Sequence, residues 1–157
     1  MLTDEQKEFF MQSAIEEAKK AAALGEVPIG CVIVFENRII ARGYNLREKN
    51  QDAVQHAEII AIQAANKRLH NWRLEDTQLF VTLEPCPMCA GAIINARIPE
   101  VYYGAPDSKA GAAGTLLNLL TDKRFNHQAI VEKGICRSQC VALLTDFFQT
   151  IRIKRDK

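Results

Sequence analysis

Apolar residues recur along this chain at two periods, and the switches between them outline the elements. From about Thr3 to Leu24, Phe10, Ala14, Ala18 and Ala21 or Ala22 fall at helical spacing. Thr3 with Gln6 reads as a capping box and Gly25 as a stop. GEVPIGCVIVFENRIIARGYN then reads as two strands around a turn at Glu36–Arg38, an antiparallel hairpin. The polar stretch LREKNQDAVQ leads to a second helix from about Ala53 to Arg68. TQLFVTL is a strand, a third helix runs from about Pro87 to Ala96, and VYYGA is a fourth strand. In the loop PDSKAGAAG small residues dominate, and TLLNLL after it reads as a short helical turn. QAIVEKG is a fifth strand and SQCVALLTDFFQTIRIKR a closing helix with a basic end.

This order, α-β-β-α-β-α-β-β-α, predicts one α/β domain over residues 1–157, with a mixed five-stranded sheet and helices on both faces. No repeat, low-complexity segment or linker divides it. The topology also locates a site. The second and third helices each join strands expected to run parallel, so right-handed crossovers lay both on one face of the sheet, pointing the same way. Their N-termini then meet at the edge where the parallel strands end, the usual ligand position in such sheets.

The residues at those two N-termini carry chemistry: His56 and Glu58 in QHAEII, Cys86 and Cys89 in LEPCPMC. A Cys-x-x-Cys at a helix start suits a soft cation, because the helix dipole favours the thiolates. With His56 that makes three ligands; zinc takes four, and three plus an open position is the catalytic pattern. A redox pair uses the two thiols but gives His56 and Glu58 no task. A closed structural site needs a fourth ligand, and none stands out. Cys31 sits in a strand pattern, Cys136 and Cys140 read as ordinary semi-buried thiols, and His70 and His127 lie in polar loops. Glu58, two residues from His56, is not expected to share a helix face with it.

Bulk properties exclude more than they select. Twenty basic against nineteen acidic residues give a net charge of +1, so contact with nucleic acid has to come from a local patch. IGCVIVF, the longest apolar run, is too short to span a membrane. MLTDEQKEFF lacks the pattern of a secretion signal, and five cysteines suit reduced thiols, which points to the cytoplasm. Basic residues gather in the tail IRIKRDK, at Arg152, Lys154, Arg155 and Lys157. Phe147 and Phe148 lie about 100° apart on the last helix, so one can face the core and the other a groove. Trp72 and Arg73 read as a packing cluster that ends the second helix.

HAE followed by PCPMC resembles the known signature of the zinc nucleoside and nucleobase deaminases. GEVPIG, ARGYNLRE, NWRLEDTQLFVTLEPCPMCAGAI, ARIPEVYYGA, DSKAGAAGTLLNLL and FNHQAIVEKG extend the likeness over nearly the whole chain, and together look like the bacterial tRNA-specific adenosine deaminases. The resemblance implies a cytidine-deaminase-like three-layer α/β/α sandwich acting as a homodimer, with one Zn2+ per subunit and no organic cofactor. It implies hydrolytic deamination of adenosine to inosine at wobble position 34 of a tRNA anticodon stem-loop, in tRNA-Arg, through a zinc-activated water. By position, His56, Cys86 and Cys89 would hold the metal and Glu58 would shuttle protons. Asn45 would contact the base, and Asp107, Lys109, Asn126, His127, Phe148 and Arg152 would contact RNA. Pro106 and Ser108 flank Asp107 where relatives vary, and Gln149 stands where some carry a basic residue.

Overall fold

The computed structural model describes residues 1–156; Lys157 of the basic tail lies outside the described residues. The elements are α1 (Asp4–Ala23), β1 (Gly30–Phe35), β2 (Arg38–Tyr44), α2 (Ala57–Leu69), β3 (Thr77–Leu83), α3 (Pro87–Ala96), β4 (Glu100–Ala105), β5 (Ile130–Lys133) and α4 (Arg137–Asp156). The predicted order is therefore the observed one. Both halves of the Thr3–Gln6 capping box form at the start of α1. The hairpin turns on Glu36 and Asn37, both at positive φ (51° and 61°), the backbone that a two-residue turn between twisted strands requires.

The sheet order is β2-β1-β3-β4-β5. β1 pairs antiparallel with both β2 and β3, whereas β3, β4 and β5 run parallel. β2 thus points the same way as β3, and only β1 runs against the rest. Side-chain alternation sorts the core into two clusters, one on each face. Cys31, Ile33, Leu79, Val81, Val101 and Tyr103 pack with α2 and α3. Val32, Val34, Phe80 and Tyr102 pack on the other face, with Phe10, Met11, Ala14 and Ile15 of α1 and Cys140 of α4. There Phe80 stacks on Tyr102, centroids 4.6 Å apart and planes 11° from parallel, and Phe10 closes on Phe80 at 5.5 Å. Two helical layers enclose one sheet, a three-layer α/β/α sandwich.

Two expectations need correction. α2 begins at Ala57 and not near Ala53, because Asp52 accepts the Val54 N–H and Gln55 carries the chain back to Leu46, so residues 52–55 close a turned loop. TLLNLL forms no helical turn; Ala113 and Asn118 make an isolated antiparallel bridge instead. Trp72, 53% exposed, has the guanidinium of Arg73 4.3 Å and that of Arg97 5.6 Å from its ring centre, so Trp72 and Arg73 pack together just past α2 as expected. No helix among the described residues is long and apolar enough to cross a membrane.

Candidate metal centre and catalytic pocket

Each crossover helix begins at a residue expected to bind metal. His56 is the N-cap of α2 and Cys86 the N-cap of α3, both with extended backbone, and neither side chain is used in a cap hydrogen bond. Pro87 at the first helical position fixes the turn that brings Cys89 round to the same side as Cys86. β2 approaches α2 closely at Gly43, where a Cβ would lie 2.3 Å from the Ala57 carbonyl oxygen. The missing side chain lets the first turn of α2 rest directly on the sheet.

The three side chains converge. His56 Nδ1 is 3.6 Å from Cys86 Sγ and 3.5 Å from Cys89 Sγ, and all three candidate ligand atoms lie within 4.8 Å of one another. Zinc with ordinary Zn–N and Zn–S bonds at tetrahedral angles holds such atoms about 3.6 Å apart. The donor set and its spacing therefore fit zinc. The electrostatics fit too. The hydrogen bond from Cys89, then that from His56, pulls the Cys86 thiol down to about 4, while Cys89, the donor to that thiolate, is pushed up. His56 is raised, chiefly by its contact with Cys86.

Glu58 lies beside this cluster, 4% exposed, in the first turn of α2. Because His56 is a cap with extended backbone and not a helical residue, the helical rule that i and i+2 diverge does not separate them. Burial pushes the Glu58 carboxyl up to about 7, reinforced by the Cys86 thiolate. A carboxyl poised near neutrality is suited to both taking and giving a proton.

A cavity opens over the cluster, lined by Val27, Ile29, Asn45, Arg47, His56, Glu58, Leu83, Glu84, Cys86, Asp107 and Ala110. Asn45 is buried there; its amide donates to the Val27 carbonyl (3.3 Å) and its oxygen accepts the Arg47 N–H (3.2 Å). Asp107 turns its carboxylate onto the N–H groups of Lys109 and Ala110, and Lys109 is exposed on the same loop. The other expected RNA contacts are elsewhere. The ring Nε2 of His127 donates to the Ile98 carbonyl at 2.8 Å, before β4 starts, and Asn126 is its exposed neighbour. The length of β4, about 20 Å, separates them from the pocket. Phe148 is 46% exposed, with its edge-on partner Phe147 more buried. It lies about 17 Å, and exposed Arg152 about 23 Å, along α4 from Arg137. One chain thus gathers His56, Glu58, Cys86, Cys89, Asn45 and Asp107, with Lys109 nearby, and leaves Asn126, His127, Phe148 and Arg152 outside.

Sequence reasoning gave no site role to Val27, Ile29, Arg47, Leu83, Glu84 and Ala110. A signal existed for two of them. β1 runs against its neighbours, so the residues before it must arrive at the edge where the other strands end.

A family model described as "cytidine and deoxycytidylate deaminase zinc-binding region" matches residues 4–105. A tRNA-specific adenosine deaminase of Bacillus subtilis (strain 168) is 52% identical over 150 residues, covering 96% of this chain and 93% of that protein. A solved structure from a study of A-to-I editing by tRNA:A34 deaminases at the wobble position superposes with a TM-score of 0.83 at 41% identity, over 87% of this chain and 99% of that one. A guanine deaminase from Bacillus subtilis superposes at 0.63 with 40% identity, over 69% of each chain.

Proposed function

The chain belongs to the cytidine and deoxycytidylate deaminase zinc-binding family, and from that membership we propose that it converts adenosine to inosine at position 34 of a tRNA anticodon. The finer reading names tRNA-Arg as substrate, a homodimer as the working form and one zinc per subunit. The observation that supports the reaction is the placement of Glu58: buried beside His56, Cys86 and Cys89, whose candidate ligand atoms converge, and outside that group of three.

His56, Cys86 and Cys89 would hold the metal. When bound, zinc would supply the Lewis acidity that makes water a nucleophile near neutral pH. Glu58 does the proton work. Its carboxylate takes a proton from the attacking water as the C6–O bond forms, and delivers it to ring N1, which draws electrons from a poor electrophile. The second proton of that water travels by the same oxygen to the exocyclic amine. The C6–N bond then breaks and ammonia leaves, so adenosine and water become inosine and ammonia. Asn45, with both ends of its amide tied to backbone, is oriented to read a ring edge. Val27, Ile29 and Leu83 give the base an apolar surround.

An adenosine in an anticodon loop must leave its stack to enter this cavity. Asp107 and Lys109 stand at its rim. Asn126, His127, Phe148 and Arg152 would meet RNA beyond the flipped base, or from the second subunit.

The test is to incubate total tRNA with the purified protein and sequence for adenosine read as guanosine. Conversion confined to position 34 is expected, in tRNA-Arg. The 40% identical guanine deaminase supports a second reading, deamination of a free base. Ammonia released from guanine, with tRNA unchanged, would replace the first reading by the second.

A further inference from the structure

Glu58 has a task in this reaction, but a second buried carboxylate beside the centre has none. Glu84 follows β3, two residues before Cys86, and is 2% exposed. Its Oε1 accepts the Asp107 N–H at 3.0 Å and the Thr115 hydroxyl. Its Oε2 accepts the N–H groups of Ala113 and Thr115, both at 3.0 Å. The segment 107–115 wraps the carboxylate so tightly that a Cβ on Gly111 would stand 2.5 Å from it. The next link is covalently adjacent to the metal motif: the Ala112 N–H donates to the Pro85 carbonyl at 2.9 Å.

Backbone N–H groups of an irregular loop have no ladder to satisfy them and need other acceptors. Glu84 gathers three of them at one point. Burying a carboxylate is costly unless such donors compensate it, and here three N–H groups and the Thr115 hydroxyl do so, whereas an apolar residue would leave them without an acceptor. What the carboxylate adds is a fixed height for the loop. That loop forms one wall of the cavity, through Asp107 and Ala110. The opposite wall is built the same way. Glu26, 1% exposed, accepts the N–H groups of Glu48 (3.1 Å) and Lys49 (2.6 Å), next to Arg47.

We propose that Glu84 is a positioning residue that sets the 107–115 wall over the pocket, and so governs how tightly the substrate nucleotide is held, without touching the reacting atoms. This rests on the RNA deaminase reading above. The chemistry of the amide makes the proposal specific. In Glu84→Gln, one oxygen becomes an N–H donor facing donors. The Thr115 hydroxyl can turn and accept, so the amide nitrogen settles at the Oε1 position and the Asp107 N–H is the group orphaned. The Ala113 and Thr115 N–H groups keep their acceptor.

The experiment measures inosine formation in an anticodon stem-loop together with zinc content and amide hydrogen exchange. Wild type, Glu84→Gln, Thr115→Val and Thr115→Ser are compared. Glu84→Gln is expected to raise KM about tenfold, with kcat changed less than about twofold. Zinc content should not change, and exchange should quicken at Asp107 and its neighbours. Thr115→Val should move KM part of the way, and Thr115→Ser, which keeps the hydroxyl, should restore it. An unchanged KM overturns the proposal. So does a fall in kcat at constant KM, which would place Glu84 in the chemistry. If Glu84→Gln is insoluble, the two Thr115 variants decide by the same criterion. Wild type inert on the stem-loop would refute the RNA reading instead. The positioning role then stands or falls on exchange in the 107–115 segment, and unchanged exchange in Glu84→Gln overturns it.

Discussion

Replacing Gly43 with alanine would test whether the sheet sets the metal site. A Cβ there would stand 2.3 Å from the Ala57 carbonyl oxygen and 2.9 Å from the Ala61 nitrogen. Both are backbone atoms of the first hydrogen-bonded turn of α2, so neither can swing aside. Ordinary contact begins near 3.4 Å, and the strand and helix must therefore part by about 1 Å. Overpacking of this kind costs ~1–3 kcal/mol, and the rigidity of both partners puts this case near ~3. For a chain of this length, that lowers Tm by about 6–12 °C. The same movement carries His56 away from Cys86 and Cys89, although ligand distances tolerate only ~0.2 Å. Turnover should fall about 100-fold through displacement of His56 and Glu58. The measurements are thermal unfolding, zinc content and inosine formation. Gly91→Ala is the control: that glycine is in α3, two residues after Cys89, and its added Cβ meets nothing within 4 Å. It should be neutral or stabilising by up to ~1 kcal/mol. Wild-type zinc content, Tm and turnover in Gly43→Ala would refute the view that strand-to-helix contact places the ligands.

Glu58→Gln should keep zinc and lose at least ~100-fold in turnover, while Cys89→Ala should lose both; a zinc-free Glu58→Gln protein on metal analysis would make the glutamate a ligand. Alkylation of the native protein followed by mass spectrometry should spare Cys31 and Cys140, both fully buried in the core. Chelation should expose half-buried Cys86 to the reagent and zinc should protect it again, so labelling of Cys86 that ignores zinc would separate it from the metal. Removing residues 154–157 should weaken tRNA binding and reduce its dependence on salt, with zinc content unchanged; equal affinity before and after would take the tail out of RNA recognition.

Much of this arrangement is legible in the chain because local and topological rules agree. Apolar periodicity gave every helix and strand, and the handedness of the two crossovers brought His56 to Cys86 and Cys89 across about thirty residues of sequence. The metal cluster needed no more than that. The start of α2 was misplaced because the 52–55 turn has helix-compatible composition, and the closing bond to Leu46 is a tertiary fact. The roles of Glu84 and Glu26 were hidden for a related reason. Their partners are backbone N–H groups 22 to 31 residues away, and a backbone donor leaves no mark in a sequence. The pairing of Trp72 with Arg73 was legible because the two are adjacent past the end of α2, whereas Arg97, which also approaches the ring, arrives from the end of α3.

The lone reversed strand has an engineering consequence. Because β1 runs counter to its neighbours, it enters at the reactive edge and its bend at Glu36–Asn37 lies at the opposite one, next to Thr77. Roughly 20 Å of paired backbone insulates that bend from His56, Cys86 and Cys89. A reporter domain or an epitope spliced between Glu36 and Asn37 would project from the far end of the sheet, leaving the mouth of the cavity uncovered.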